Sequence, residues 1–187
     1  MLAYDADLEL FRDNYKRFMN EHVAPHYEQW EQQGIMPRSI WNLMGENGFL
    51  CVDVPEEYGG YGVPTHYSLM LVEESARAGY SALSTGISCH SEIAAPYILH
   101  IGTEEQKQYW LPKMVSGEVV GAIGMTEPGA GSDLQAMRTN AILQGDYYIL
   151  NGSKTFISNG QHGDLVVLAV KTDPQARAKG VSLMLLD

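Results

Sequence analysis

Gly124-Met125-Thr126-Glu127-Pro128-Gly129-Ala130-Gly131-Ser132-Asp133 sets two small hydroxyls, Thr126 and Ser132, around a Pro-Gly-Ala-Gly turn. Glycines at 129 and 131 open backbone conformations closed to residues with a Cβ and let a ligand approach the main chain. Successive amides in such a turn form a small anion-binding concavity. Further along, Phe156-Ile157-Ser158 places an aromatic ring and a hydroxyl at alternate positions, on one side of an extended strand. With the amides and the Thr126 hydroxyl at the end of a strand Ala122–Thr126, these residues suit a flat heteroaromatic ligand. Its polar edge would meet amides and hydroxyls, and an aromatic side chain would cover its face. From the residues alone, Phe156 reads more readily as a core side chain and Ser158 as turn chemistry beside Asn159-Gly160.

The other chemistry-bearing side chains give less. Glu127 and Asp133 each abut a turn, where carboxylates cap backbone amides, so neither is read as a general base. The histidines at 22, 26, 66, 90, 100 and 162 lack metal-ligand spacing. His22 and His26 lie one helical turn apart, but Pro25 interrupts the helix between them, and the histidines are expected at the surface. Gly59, Gly60 and Gly62 enrich the loop Pro55–Pro64 without forming GxxxxGK[ST], so a flexible connection is expected there. Cys51 and Cys89 make neither a disulfide framework nor a CxxC pair and read as small core residues in a reducing compartment.

Charge narrows the partners. A net charge of −11, from 12 basic and 23 acidic side chains, opposes a nucleic-acid or anionic-membrane surface and reads as a solubility feature. No apolar stretch approaches transmembrane length. The opening Met1–Asp7 is acidic, without a basic segment leading into an apolar run or an Arg-rich transit pattern, so a soluble intracellular protein is expected.

The positioning elements follow from periodicity. Leu8, Phe11, Tyr15 and Phe18 recur at helical spacing. A second helix covers Tyr27–Gln33 and stops at Gly34. Pro37 opens a third, with Ile40, Leu43 and Met44 on its apolar face and Gly48 at its end. Pro64 to about Ala78 makes a fourth, with Leu69, Val72 and Ala76 inward, and Ser84–His100 a further helical stretch. Thr103-Glu104-Glu105-Gln106 is a capping box, and Pro112 is expected to break or kink the helix that follows before Gly117 closes it. After Glu118 the pattern changes. Strands are expected at Val119–Met125, Thr139–Leu143, Tyr147–Leu150, Lys154–Ser158, Leu165–Val170 and Val181–Leu186. Gln144-Gly145-Asp146, Asn151-Gly152 and Asn159-Gly160 punctuate them as turns. The fold class is therefore α+β: an all-α bundle over 1–117, then an incomplete antiparallel β-barrel or sandwich domain over 118–187. A last strand ending at Asp187 leaves an edge to be paired, so a longer polypeptide or a completing partner is expected.

The Gly124–Asp133 stretch resembles the signature of the acyl-CoA dehydrogenase family, and Asn151–Gly160 resembles its second flavin-contacting stretch. Val54-Pro55-Glu56-Glu57-Tyr58-Gly59-Gly60, Gly102–Lys107, Leu111–Met114 and Ser116-Gly117-Glu118 also match, in the family's order. The resemblance implies FAD as cofactor and an acyl-CoA thioester as substrate, desaturated between Cα and Cβ with hydride passing to flavin N5. It implies that Ile123, Met125 and Thr126 lie along the flavin ring, Thr126 on its pyrimidine edge. Phe156 and Ile157 would lie at the ring, Phe156 packed on it, with Ser158 near N5. Ser132 would bind the FAD diphosphate or the pantetheine arm of the substrate. Many family members carry Trp and Thr where this chain has Phe156 and Ser158, and the departure looks like the long-chain branch.

The family's catalytic base is a glutamate of a C-terminal helical domain. That domain is absent from these residues, so no catalytic residue is assigned and the chain alone is expected to be silent. An electron-transfer flavoprotein as acceptor, a homo-oligomer such as a homotetramer, and a bacterial cytoplasmic or mitochondrial-matrix location follow by the same analogy, with weak FAD retention by the isolated chain. An acyl-CoA oxidase of the same superfamily and a non-catalytic flavin- or acyl-CoA-binding module are the competing readings.

Overall fold

The computed structural model describes residues 6–187. The opening Met1–Asp5, read above for targeting, lies outside the described residues. The chain divides into two compact units, one ending at Val119 and the other running Val120–Asp187.

The first unit is helical: α1 Ala6–Phe18, α2 Tyr27–Gln33, α3 Ser39–Glu46, α4 His66–Arg77, α5 Ser81–Ile87, α6 Ala95–Ile101 and α7 Glu104–Val115. Wider π turns extend α1 over Met19–Val23 and join α5 to α6 over Ser88–Ala94, so Ser81–Ile101 is one continuous helical run. Gly34 ends α2 in the left-handed conformation. The expected capping box is formed: Gln106 N–H donates to Thr103 Oγ1 at 3.3 Å, and Thr103 N–H donates to Gln106 Oε1 at 2.9 Å. Pro112 does not end its helix. Its carbonyl accepts from Ser116 N–H at 3.0 Å, and α7 continues to Val115.

Tyr15, Trp41, Met44, Leu71, Leu83, Ile87, Leu111 and Met114 are fully buried in this unit. Phe49 meets Tyr15 and Phe18 edge-on, with centroids 5.0 and 5.2 Å apart. Both cysteines are buried and unbridged. Two expectations fail here. The buried positions of α4 are Ser68, Met70, Leu71 and Ser75, while Leu69 is 53% exposed, Ala76 is exposed and Val72 half-buried. Apolar spacing missed this face because its serines are satisfied internally. Ser75 Oγ donates to the Leu71 carbonyl at 2.8 Å and so accepts from the Tyr15 hydroxyl at 2.6 Å, and Ser68 Oγ bonds Glu92. His90 is likewise not a surface residue. It is buried against the Trp41 ring, with Nε2 3.1 Å from the Met114 carbonyl.

The second unit holds β1 Gly121–Gly124, β2 Asn140–Gln144, β3 Tyr147–Asn151, β4 Leu165–Lys171 and β5 Val181–Leu186 in one sheet that does not close. β4 is its spine. β5 pairs with it antiparallel (Val166↔Leu186 to Lys171↔Val181), and β1 pairs with it parallel (Gly121↔Leu165 to Gly124↔Leu168). β2 touches its far end at Asn140↔Lys171, also parallel, and forms an antiparallel hairpin with β3. The sheet is thus mixed where an antiparallel one was expected. A parallel pair needs a long crossover, and residues 125–164 between β1 and β4 provide it. Gly145, at φ 62°, opens the two-residue β2–β3 loop, as a primed hairpin turn requires.

Candidate functional site

The site residues all lie in the second unit. β1 ends at Gly124, and Met125 and Thr126 carry the chain into a tight reversal. There Glu127 N–H donates to the Ala130 carbonyl at 2.8 Å and Ala130 N–H to the Glu127 carbonyl at 3.1 Å, around Pro128-Gly129. An added Cβ on Gly129 or Gly131 would meet nothing within 4 Å, and neither residue has a positive φ. Conformational freedom is therefore not why glycine stands there; what the two positions provide is open space beside the main chain. Gly152 contrasts with them. At φ 151°, its Cβ would fall 2.6 Å from Thr139 Cα.

The expected strand Lys154–Ser158 does not form. Residues 152–157 are irregular, Phe156 sits in the left-handed region at φ 57°, and Ser158 and Asn159 enter a turn with Asn159 at φ 61°. Hydrogen bonds from Lys154 and Thr155 to Met125, Thr126 and Glu127, rather than a sheet ladder, define it. Asn151-Gly152 is not a hairpin turn either, since Asn151 closes β3 and the chain runs on from Gly152 as irregular backbone rather than as a strand pairing back. Asn159 does turn the chain, and its side-chain amide donates to the Gly121 carbonyl at 3.1 Å.

The two motif stretches meet. Thr155 N–H donates to the Thr126 carbonyl at 2.9 Å. Lys154 Nζ donates to the Met125 carbonyl and to Glu127 Oε1, each at 2.9 Å. The Glu127 carboxylate also accepts Arg138 N–H at 2.7 Å and Thr139 N–H at 2.9 Å. Burial alone would raise the Glu127 pKa, but hydrogen bonds from Thr139, Arg138 and Lys154 overcome it and hold the group at about 2. Glu127 caps amides as expected. Asp133 is exposed and makes no side-chain cap to the short helical turn it precedes.

Around this knot, Ile123 and Thr126 are half-buried. Met125 packs against Ala130, Met137 and Ala169. Ile157 is half-buried, Ser132 and Ser158 are exposed, and Phe156 is 91% exposed. A left-handed backbone carrying an almost fully exposed phenyl ring is a local conformation the fold itself does not explain by packing. Sequence reasoning missed Lys154. The available cue was its isolation: it is the sole lysine between Lys113 and Lys171, as Glu127 is the sole glutamate after Glu118.

Among the described residues, no group of three or more His, Cys, Asp or Glu side chains could hold a metal, and no helix is long and apolar enough to cross a membrane. Open space at Gly129 and Gly131 and an uncovered aromatic at Phe156 fit a flat, anion-tailed organic cofactor.

Family models for the N-terminal and middle domains of acyl-CoA dehydrogenase match residues 5–118 and 122–187. The chain belongs to the acyl-CoA dehydrogenase family. It is 41% identical over 186 residues to the mitochondrial long-chain specific acyl-CoA dehydrogenase of Sus scrofa, covering 98% of this chain and 43% of that one. The crystal structure of an acyl-CoA dehydrogenase from Geobacillus kaustophilus superposes with a TM-score of 0.95 at 51% identity, covering 100% of this chain and 49% of that chain. A Bacillus anthracis acyl-CoA dehydrogenase solved in complex with FAD gives 0.89 at 30% identity, covering 99% of this chain and 32% of that chain. The chain spans less than half the length of these relatives.

Proposed function

We propose that these residues form the flavin-holding part of an FAD-dependent acyl-CoA dehydrogenase. The observation that carries this reading is the hydrogen-bonded junction of the two motif stretches, Thr155 to Thr126 and Lys154 to Met125 and Glu127, beside the open positions of Gly129 and Gly131. FAD, when bound, supplies the two-electron acceptor for desaturation of an acyl-CoA thioester. The chain's own residues bind and orient. Ile123, Met125, Thr126 and Ile157 would border the ring, Phe156 would cover it, and the hydroxyls of Thr126 and Ser158 would meet its polar atoms. Ser132 would bind the diphosphate or the pantetheine arm. An electron-transfer flavoprotein as acceptor and a homo-oligomeric assembly belong to the same proposal, as does a mitochondrial or bacterial setting.

The proton-abstracting base is assigned outside these 187 residues. Glu127, the acid of the signature nearest the junction, is buried and held at about 2, far below the range that suits abstraction of an α-proton near neutral pH. The test is a titration of the purified chain with FAD, followed by visible absorbance and by assay with acyl-CoA and an artificial acceptor. Saturable flavin uptake without turnover is expected. No uptake at any flavin concentration overturns the cofactor assignment, and enoyl-CoA formation overturns the placement of the base. Peroxide formed from oxygen during turnover would mark an oxidase instead.

A further inference from the structure

We propose that Glu127 and Lys154 are a positioning pair, fastening the Thr126 stretch to the Thr155 stretch before cofactor arrives. The inference rests on the flavin reading above. Neither side chain is placed to touch a ligand, since Lys154 is only 8% and Glu127 only 7% exposed.

The bonding pattern points to alignment. A lysine is almost never fully buried unless paired. A buried ion pair is weak evidence for stability, because apolar residues of similar volume often serve as well. Apolar residues would fix no directions, whereas this pair fixes several. The Lys154 ammonium bonds the residues on both sides of Thr126, through the Met125 carbonyl and the Glu127 carboxylate. The Thr126 carbonyl takes Thr155 N–H. Three consecutive residues of the first stretch are thus held by two consecutive residues of the second. Glu127 extends the tie to Arg138 and Thr139 N–H, where the chain enters β2. Thr126 and the segment Phe156–Ser158, which bear the proposed ring contacts, therefore keep one separation. Fixing such groups through a buried supporting shell is what preorganised sites require.

The test uses the 187-residue chain with Lys154→Met, Glu127→Gln and the double variant. Each single variant leaves a buried charge without its counter-charge and lowers the unfolding midpoint; the double variant removes both charges and recovers much of that loss. A merely structural pair would let the double variant bind FAD like the unmodified chain. Positioning predicts that the recovered double variant still binds FAD at least about tenfold more weakly, with an altered visible flavin band. Unmodified affinity and an unchanged band in the folded double variant overturn the pair and leave the flavin reading intact. An unmodified chain that takes up no FAD overturns both. If the double variant does not fold, amide exchange in the unmodified chain decides. Arg138, Thr139 and Thr155 N–H are expected to be protected before FAD is added, and protection appearing only with FAD overturns the proposal.

Discussion

Thr155 N–H points to the Thr126 carbonyl across 2.9 Å, although the two residues lie in different motifs and neither belongs to a strand. That bond, with the Lys154 and Glu127 contacts beside it, holds together what an extended strand over 154–158 would have held by ladder pairing. The irregular path leaves Phe156 almost wholly exposed.

The glycines separate into two kinds by experiment. Ala at Gly129 or Gly131 meets open space at an ordinary φ, so each substitution is expected to leave stability unchanged or raise it by about 0.4–1 kcal/mol while weakening FAD uptake. Gly152→Ala would drive a Cβ into the Thr139 backbone and is expected to destabilise by about 3 kcal/mol or more. Denaturant unfolding and flavin titration on the same three variants check both halves.

Acid should loosen the second unit through Glu127. Its pKa falls from 4.5 to about 2 on folding, so the unfolded chain binds the proton first. The stabilisation is complete above about 4.5 and is lost as pH falls toward about 2. Unfolding midpoints measured across this window should slope steeply in the unmodified chain, and Glu127→Gln should flatten the slope.

Nearer neutrality, two groups of the first unit oppose each other. Burial lowers His90 from 6.5 to about 4, so folding excludes its proton and stability falls as pH drops through that interval. Burial, with the neighbouring Asp53 charge, raises Glu92 from 4.5 to about 7, so folding keeps its proton and stability falls as pH rises through that interval. Glu92→Gln is expected to gain stability relative to the unmodified chain above about pH 7, and His90→Gln to lessen the loss on the acid side. Thermal unfolding of both variants from pH 4 to 8 separates the two slopes.

The Tyr15–Ser75 bond should show as coupling. Ser75→Ala leaves the Tyr15 hydroxyl buried without its acceptor, and a loss of about 1–3 kcal/mol is expected. Adding Tyr15→Phe removes the stranded hydroxyl, so the double variant should be less destabilised than the sum of the singles. Urea unfolding of the four proteins measures the difference.

The chain by itself determined what depends on neighbours in sequence. The capping box at Thr103, the stop at Gly34, the Gly145 hairpin and the succession of helices then strands follow from local backbone chemistry. The stretches around Thr126 and Ser158 were also legible as a candidate ligand border. Tertiary structure decided the rest. It buried the serine-bearing face of α4 because distant Tyr15 and Glu92 satisfy those hydroxyls. It set β1 parallel to β4 because the crossover between them is long enough to return the chain. It turned 154–158 away from strand geometry because Lys154 found Glu127 and the Met125 carbonyl. Periodicity records which residues prefer to leave water, but a hydrogen bond between distant residues exists only once the fold has brought donor and acceptor together.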